Sequence, residues 1–146
     1  TTLDTSGNPF TREGERFEKI RKLLKVTDLV MLDIKHIDDE QHKILTGQTN
    51  RNILDMARYL DEIGKPMWIR HVLVPERSDK DEYLTRLDAF IQSLHNVQKV
   101  EVLPYHTLGA YKWKELGYEY PLEGIDPPTQ ERIKNANLLL HTGARV

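Results

Sequence analysis

Charged and polar side chains stand where short apolar runs of this sequence end. The run "LVML" leads directly into Asp33, and Lys35 follows two positions later. Asp4 lies in "LDTSG", Arg70 lies in "MWIRHVLV", and His106 follows "VEVLPY". Because an isolated buried charge is very unfavourable, these groups need either partners within the protein or a polar ligand.

The residue types indicate what such a ligand would look like. Strand alternation places Asp33 and Lys35 on one face. Arg70 offers a planar fork that suits a carboxylate, and His106 can donate or accept a hydrogen bond. Asp4 and Asp33, on neighbouring strands, are able to share a cation. The set predicts a pocket for a zwitterionic or polyhydroxylated ligand rather than an apolar one.

Purely structural roles account for the same residues. Asp33 and Lys35 can form an internal ion pair, Arg70 can pair with a buried carboxylate, and His106 can be a structural histidine. The remaining histidines show no metal-binding spacing on one face, and we assign them no role; they are His36, His42, His71, His95 and His141.

Hydrophobic periodicity predicts strands that alternate with helices. The expected strands are 1–5, 29–33, 67–74 and 100–103, and the expected helices are 13–25, 38–45, a helix after Asn50, a helix after Ser78, 107–116 and a helix after Asp126. The continuous apolar character of the second strand is typical of a strand covered on both faces.

Residues that typically begin or end helices predict where several of the helices are capped. Asn50 is the expected N-cap of the third helix, and Ser78 with Asp81 resembles a capping box for the fourth. Asp126 and Pro127 are expected to begin the last helix, and Gly143 is expected to cap its end.

Alternating strands and helices predict an α/β fold with parallel strands and right-handed crossovers. About four βα units are half of an eight-unit barrel, although a small doubly wound sheet has the same element order. In both architectures ligands bind at the carboxyl ends of the strands. The polar residues described above fall at or near those ends.

Composition excludes several classes of function. The chain of 146 residues carries 21 basic and 23 acidic residues, a net charge of -2, which disfavours nucleic acid or an anionic membrane as partner. It has no apolar run long enough to span a bilayer and no signal-peptide pattern, so a cytoplasmic protein is expected. Cysteine is absent.

We expect residues 1–146 to form a single domain, and the abrupt start "TTLDT" indicates a piece of a longer protein.

Four segments that contain the predicted strands form recognisable sequence motifs. "LDTSG", "TDLVMLDIKHIDDEQHKILTG", "MWIRHVLVPERSD" and "VEVLPYHTLGAYKWKELGYEY" closely resemble the pyruvate formate-lyase activating enzymes, a family of the radical S-adenosylmethionine superfamily. The resemblance covers essentially the whole chain, and the combination of "VMLDIKH" with "VLPYH" makes it specific.

The resemblance implies a partial TIM-like barrel of the (β/α)6 type, of which this chain resembles the C-terminal part, strands three to six. It implies an oxidoreductase, the activating enzyme of formate C-acetyltransferase in anaerobic metabolism. Such enzymes use S-adenosylmethionine and a 4Fe–4S cluster to generate a glycyl radical on pyruvate formate-lyase, with flavodoxin or a similar protein as reductant.

The resemblance also assigns residues by position. Asp33, Ile34 and Lys35 match a segment that contacts S-adenosylmethionine, and Arg70 and His106 match further residues of that site. A second set matches a monovalent cation site beside the cofactor: Asp4, Thr5, Met31 and Asp33.

Departures from the family pattern limit what the chain itself can do. It lacks the CxxxCxxC motif and the "GGE" segment, so a cluster has no thiolate ligands here and the chain alone is expected to have no catalytic residue and to be inactive. About 90–110 further residues with three cysteines are expected before Thr1. Glu76 stands where a glycine is expected, so the loop there is expected to differ.

Two alternatives remain open at the level of sequence. Lys35 could serve as the Schiff-base amine of a barrel lyase, although nearby Asp33 would favour its charged form. The chain could instead be a non-catalytic scaffold. An exposed edge at the first strand further predicts that the fragment self-associates.

Overall fold

Strands and helices alternate in the computed structural model, which describes residues 1–5, 7, 10–105 and 125–144. The strands are β1 (Thr2–Thr5), β2 (Leu29–Asp33), β3 (Met67–Leu73), β4 (Val97–Pro104) and β5 (Gly143–Ala144). The helices are α1 (Gly14–Lys25), α2 (Asp39–Thr46), α3 (Arg51–Glu62), α4 (Asp81–Gln92) and α5 (Gln130–Leu139). The expected helix at 107–116 lies outside the described residues.

The five strands form one sheet in the order β1-β2-β3-β4-β5. Strands β1 to β4 are parallel, and only β5 runs antiparallel to its neighbour. Sequential order without a reversal is the arrangement of a barrel, whereas a doubly wound sheet reverses its strand order at a switch point. The predicted parallel α/β, barrel-like architecture is therefore confirmed.

One face of the sheet carries the apolar core. In β2, Val30 and Leu32 are fully buried, whereas Leu29, Met31 and Asp33 are half-exposed. The buried strand residues pack in one cluster with helix residues such as Leu24 and Leu60. Within the described residues β2 is thus covered on one face, where its continuous apolar run favoured cover on both. Since right-handed crossovers of sequential strands place every helix on the same side, the second face is left for polar residues.

Of the two caps predicted before α3 and α4, the position of Asn50 is confirmed and that of Ser78 is wrong, and both side chains bond to more distant backbone. Asn50 occupies the N-cap position of α3 but makes no capping bond, and its amide donates to the carbonyls of His36 and Ile37 instead. Ser78 lies before α4, whose N-cap is Lys80. The Ser78 hydroxyl donates to the Val72 carbonyl and accepts from the Val74 N–H, which closes the turn after β3.

The predicted limits of the last helix are also wrong. Helix α5 begins at Gln130, and its N-cap is Thr129, whose hydroxyl accepts from the Arg132 N–H at 3.2 Å. Pro127 cannot open the helix readily because a following proline disfavours helical backbone. At the other end the cap is Leu140, and Gly143, with φ +104°, pairs with Val100 in β5.

Candidate functional site

Arg70, in the middle of β3, joins two carboxylates at or near the carboxyl ends of β1 and β2. Its Nε donates to Asp33 Oδ1 at 2.7 Å, and Nη2 donates to Asp4 Oδ1. Asp33 and Arg70 are direct neighbours in the β2–β3 pairing. The Arg70 side chain is 17% exposed, against 26% for Asp33 and 57% for Asp4. The cluster therefore lies partly sheltered on the polar face of the sheet.

The charge of Arg70 is held by its two partners. Burial disfavours the guanidinium, but hydrogen bonds and charge attraction from Asp33 and Asp4 outweigh it, so the pKa of Arg70 is raised above its ordinary value. This pairing is the structural role considered from the sequence. The Nε and Nη2 groups of the arginine fork are consequently committed to protein carboxylates.

Lys35 lies two residues beyond Asp33, on the segment that follows β2. The alternation of burial continues past the strand, since Ile34 is 1% exposed whereas Asp33 and Lys35 are half-exposed. Lys35 is thus on the same side of the chain as Asp33, in agreement with the predicted alternation. Neither Asp33 nor any other described residue forms a hydrogen bond or ion pair with Lys35, so the internal ion pair considered from the sequence is not formed.

The other predicted site residues are distributed as follows. Ile34 contributes its backbone, because its side chain is in the core and its N–H donates to the Arg70 carbonyl at 2.9 Å. Met31 is half-exposed and pairs with Asp4 across β1 and β2. The Thr5 hydroxyl accepts from the Gly7 N–H at 3.0 Å. His106 lies outside the described residues.

A second polar group lies on the same face and was missed by sequence reasoning. Lys99 Nζ lies 2.6 Å from Glu101 Oε1 and 4.7 Å from the centre of the Trp68 ring. Glu101 is the neighbour of Arg70 across β3 and β4. The signal was available, because "KVEV" alternates charged and apolar residues as a one-faced strand does.

Two buried histidines lie immediately behind the strand ends. His71 is 2% exposed, and its Nδ1 donates to the Ile34 carbonyl at 2.7 Å. His36 is 1% exposed; its Nδ1 accepts from the Asp38 N–H, so its Nε2 donates to the Arg77 carbonyl at 2.8 Å. Burial lowers the pKa of both rings, that of His71 to about 4. Both are therefore neutral at physiological pH.

The described residues contain no group of three or more His, Cys, Asp or Glu side chains suited to a metal ion. The printed sequence has no cysteine, so its residues do not fit a thiolate-ligated iron–sulfur cluster. A zwitterionic organic ligand fits better. The Lys35 ammonium, which has no partner among the described residues, can take a carboxylate, and the oxygens of Asp33 and Asp4 can accept from hydroxyl or amino groups.

The parallel sheet, whose described helices lie on one face and which carries Asp4, Asp33 and Arg70 on the other, defines a barrel-type α/β protein. A family model described as the radical SAM superfamily matches residues 1–87. The chain belongs to that superfamily.

Curated relatives indicate the branch of the superfamily to which the chain is similar. It is 56% identical over 142 residues to a pyruvate formate-lyase-activating enzyme of Streptococcus mutans, covering 97% of the chain and 54% of that protein. It is 52% identical over 144 residues to the enzyme of that name from Listeria monocytogenes, covering 99% of the chain and 58% of the relative. The chain thus spans little more than half the length of these relatives.

Solved structures support the fold. The chain superposes with a TM-score of 0.75 and 19% identity on a domain of pyruvate-formate lyase-activating enzyme from Bacteroides vulgatus, covering 96% of the chain and 74% of that domain. A radical SAM methyltransferase from Sphaerobacter thermophilus gives a TM-score of 0.64 at 18% identity, covering 96% of the chain and 37% of the methyltransferase. None of the described helices combines the length and apolar character that crossing a bilayer requires.

Proposed function

We propose that this chain is the S-adenosylmethionine-binding C-terminal part of a radical SAM barrel, folded as one domain over residues 1–146. The observation that carries the proposal is the convergence of Asp4, Asp33 and Arg70 at neighbouring strand ends, beside a Lys35 with no partner among the described residues. Superfamily membership supplies the cofactor class, and the site supplies complementary groups for its amino-acid part.

The roles of the residues follow from their present contacts. The Lys35 ammonium binds the ligand carboxylate, because it is the strand-end cation left unpaired within the described part of the chain. Arg70 fixes Asp33 and Asp4 in place by binding both. Asp33 has further lone pairs for a ligand hydroxyl or amine. Ile34 contributes backbone, and His106 is proposed to contact the same ligand.

For the whole protein we propose activation of a glycyl radical enzyme, with pyruvate formate-lyase as the protein substrate. Relatives that are 49–56% identical to the chain bear that activity in their names. S-adenosylmethionine, once bound beside a 4Fe–4S cluster, supplies the radical chemistry. Since the printed chain has no cysteine, the cluster ligands are proposed to lie in residues outside it. Flavodoxin or a similar protein is the proposed reductant, and the cytoplasm the proposed compartment.

We further propose a monovalent cation beside the cofactor, held by Asp4, Thr5, Met31 and Asp33. Side-chain and carbonyl oxygens suit such a hard cation. The pairing of Asp4 with Met31, and the bridge from Asp4 through Arg70 to Asp33, support the proximity of these groups. Calorimetry with K⁺ and Na⁺ tests the site; heat that persists in Asp33→Asn would count against it.

The ligand is tested by isothermal titration of the chain with S-adenosylmethionine. We expect Lys35→Ala to weaken binding by about tenfold or more, the range for hydrogen bonds between charged groups. Lys43→Ala is the matched control, because Lys43 lies on α2 and pairs with Asp39 and Glu40. Equal affinities of the two variants would refute the role of Lys35, and absence of binding to the unaltered chain would refute the ligand.

The comparisons do not favour the Schiff-base lyase. Borohydride trapping with a carbonyl substrate is the direct test of the lyase hypothesis, and a covalent adduct on Lys35 would support it. A non-catalytic scaffold predicts no calorimetric signal with S-adenosylmethionine for any variant.

We also propose that the fragment self-associates through β1, which pairs on one side only within the described residues. An unpaired strand edge offers backbone donors and acceptors to a second copy. Analytical ultracentrifugation over a range of concentrations should show a reversible dimer or larger species. A constant monomer mass at the highest concentration would contradict this proposal.

A further inference from the structure

Buried side chains hold the backbone on both sides of Lys35. The carbonyls of Ile34, His36 and Ile37 each accept a hydrogen bond from a side chain that is at most 2% exposed. Where a chain leaves a strand, its backbone groups normally form their hydrogen bonds within turns or with water. Here the segment 34–38, which follows β2, is fastened to the core although it has no regular secondary structure.

His71 makes the first of these bonds. The Ile34 N–H donates to the Arg70 carbonyl, and the His71 ring donates to the Ile34 carbonyl, so both backbone groups of Ile34 are bound by β3. The pairing of β2 with β3 is thereby extended beyond Asp33 by a side chain. This places the peptide that joins Ile34 to Lys35 in a fixed orientation.

Asn50 and His36 hold the rest of the segment. The Asn50 amide donates to the carbonyls of His36, at 3.1 Å, and Ile37, at 2.8 Å. The His36 ring donates to the Arg77 carbonyl in the loop after β3 and accepts from the Asp38 N–H. The segment is therefore bound to α3 and to the loop after β3 at the same time.

A histidine at position 71 in the core carries a cost in folding stability. Its Nε2 is buried and has no hydrogen-bond partner in the described part of the chain. A leucine or phenylalanine would fill such a position and leave no acceptor unsatisfied. An unsatisfied buried acceptor lowers the stability of the folded protein. An apolar side chain could not make the hydrogen bond that the ring Nδ1 donates to the Ile34 carbonyl.

From these contacts we infer that His71 and Asn50 are positioning residues for Lys35, holding its backbone so that its ammonium meets the carboxylate of the bound ligand. The inference rests on the proposed function, since it assumes that Lys35 binds that carboxylate. A fixed backbone lowers the entropy lost when the long lysine side chain becomes ordered on the ligand.

The experiment compares two ligands on one set of variants. S-adenosylmethionine carries the carboxylate, and decarboxylated S-adenosylmethionine lacks it. His71→Phe should weaken S-adenosylmethionine binding by roughly threefold to tenfold, the range of coupling between contacting groups, and leave the decarboxylated ligand nearly unaffected. His71→Gln, whose amide can donate the same bond, should recover part of the loss.

His42→Phe is the matched control. His42 is also 2% exposed, its Nδ1 also bonds to a carbonyl, that of Gln48, and its Nε2 also has no partner among the described residues. It lies on α2, outside the segment 34–38. We expect it to lower thermal stability without changing the ratio of the two affinities. If His71→Phe does not fold, Asn50→Ser gives the same test.

A double-mutant cycle separates positioning from general damage. In the Lys35→Ala background, His71→Phe should no longer change S-adenosylmethionine affinity, because the group it positions is gone. Additive losses would overturn the inference, and so would equal losses for both ligands. If Lys35→Ala itself changes nothing, the proposed function fails; if Lys35→Ala weakens binding but His71→Phe does not, only the positioning role fails.

Discussion

Arg70 lies directly across the β2–β3 pairing from Asp33, and its Nε donates to Asp33 Oδ1 over 2.7 Å. The same guanidinium reaches Asp4 on β1, so one side chain from the middle of β3 connects three consecutive strands. Without it, two carboxylates would face each other on the polar side of the sheet. Arg70 therefore serves the fold by holding both carboxylates in place on that face.

Arg70→Lys should lower the free energy of unfolding by about 1–2 kcal/mol, measured by urea denaturation. A lysine keeps the charge, but its single ammonium does not reproduce the fork that bonds Asp33 and Asp4 together. The same substitution should weaken S-adenosylmethionine binding in calorimetry, because the released carboxylates become available to neutralise Lys35.

Arg12→Lys is the matched control for that substitution. Arg12 also bonds two carboxylates, Asp55 and Glu62, but on the helical surface, where it is 35% exposed. We expect a loss of at most about 1 kcal/mol and unchanged ligand affinity. Equal effects of the two substitutions on affinity would show that the strand-end position of Arg70 has no special role.

Acid should destabilise the protein through His71. Its folded-state pKa is about 4, against 6.5 for the free side chain, because burial favours the neutral ring. Between pH 6.5 and 4 the unfolded chain binds a proton that the folded chain does not, so stability falls as the pH falls through this window. A shift of this size corresponds to about 3 kcal/mol.

Urea denaturation at pH 7, 6, 5 and 4.5 measures this dependence. His71→Gln removes the titrating ring and should flatten the curve, leaving a residual slope from His36, whose pKa burial also lowers. An identical pH dependence in the unaltered chain and His71→Gln would show that protonation of His71 does not limit stability in acid.

The sequence was sufficient to predict the architecture, and it selected Asp4, Asp33 and Arg70, which the structure brings together. Alternation of apolar and charged residues identified β2 and β3, and the rule that ligands meet strand ends selected Asp33 and Arg70. It could not decide whether Arg70 would take a ligand or a protein carboxylate, because that depends on the register of three strands. The structure provides the register.

The buried polar contacts were beyond local reasoning for a different reason. Asn50 has the right position and type for a helix cap, but its amide bonds to carbonyls 13 and 14 residues away. Capping rules describe only neighbours in sequence. They do not take into account a distant buried carbonyl, which also requires a hydrogen-bond donor. His71 was set aside for the same reason, since its partner, the Ile34 carbonyl, lies in the segment that follows another strand.

Glu76→Gly should raise the free energy of unfolding by about 0.5–1 kcal/mol. Glu76 has φ +67°, a left-handed conformation that is strained by about 1–2 kcal/mol for a residue with a Cβ. Part of the gain is offset by the greater flexibility of glycine in the unfolded chain. The expectation of a glycine here from the family pattern therefore agrees with the backbone.

Glu76→Ala is the control, since it removes the carboxylate but keeps the Cβ. It should leave the midpoint of thermal unfolding nearly unchanged, because Glu76 is exposed and its backbone conformation remains strained. Should the alanine variant gain as much as the glycine variant, relief of charge rather than of backbone strain would be responsible.

Gly7 should tolerate substitution far less well than Gly14, although both have left-handed backbone, with φ +74° and +75°. A Cβ on Gly7 would lie 3.1 Å from the Ile53 Cα and 3.1 Å from Leu32 Cδ1, whereas a Cβ on Gly14 would meet nothing within 4 Å. Gly14→Ala should therefore cost only the backbone strain, about 1 kcal/mol. Gly7→Ala should cost about 2–3 kcal/mol, because α3 must also move away from residue 7. Urea denaturation of both variants measures the difference, and equal losses would mean that residue 7 can shift without disturbing α3.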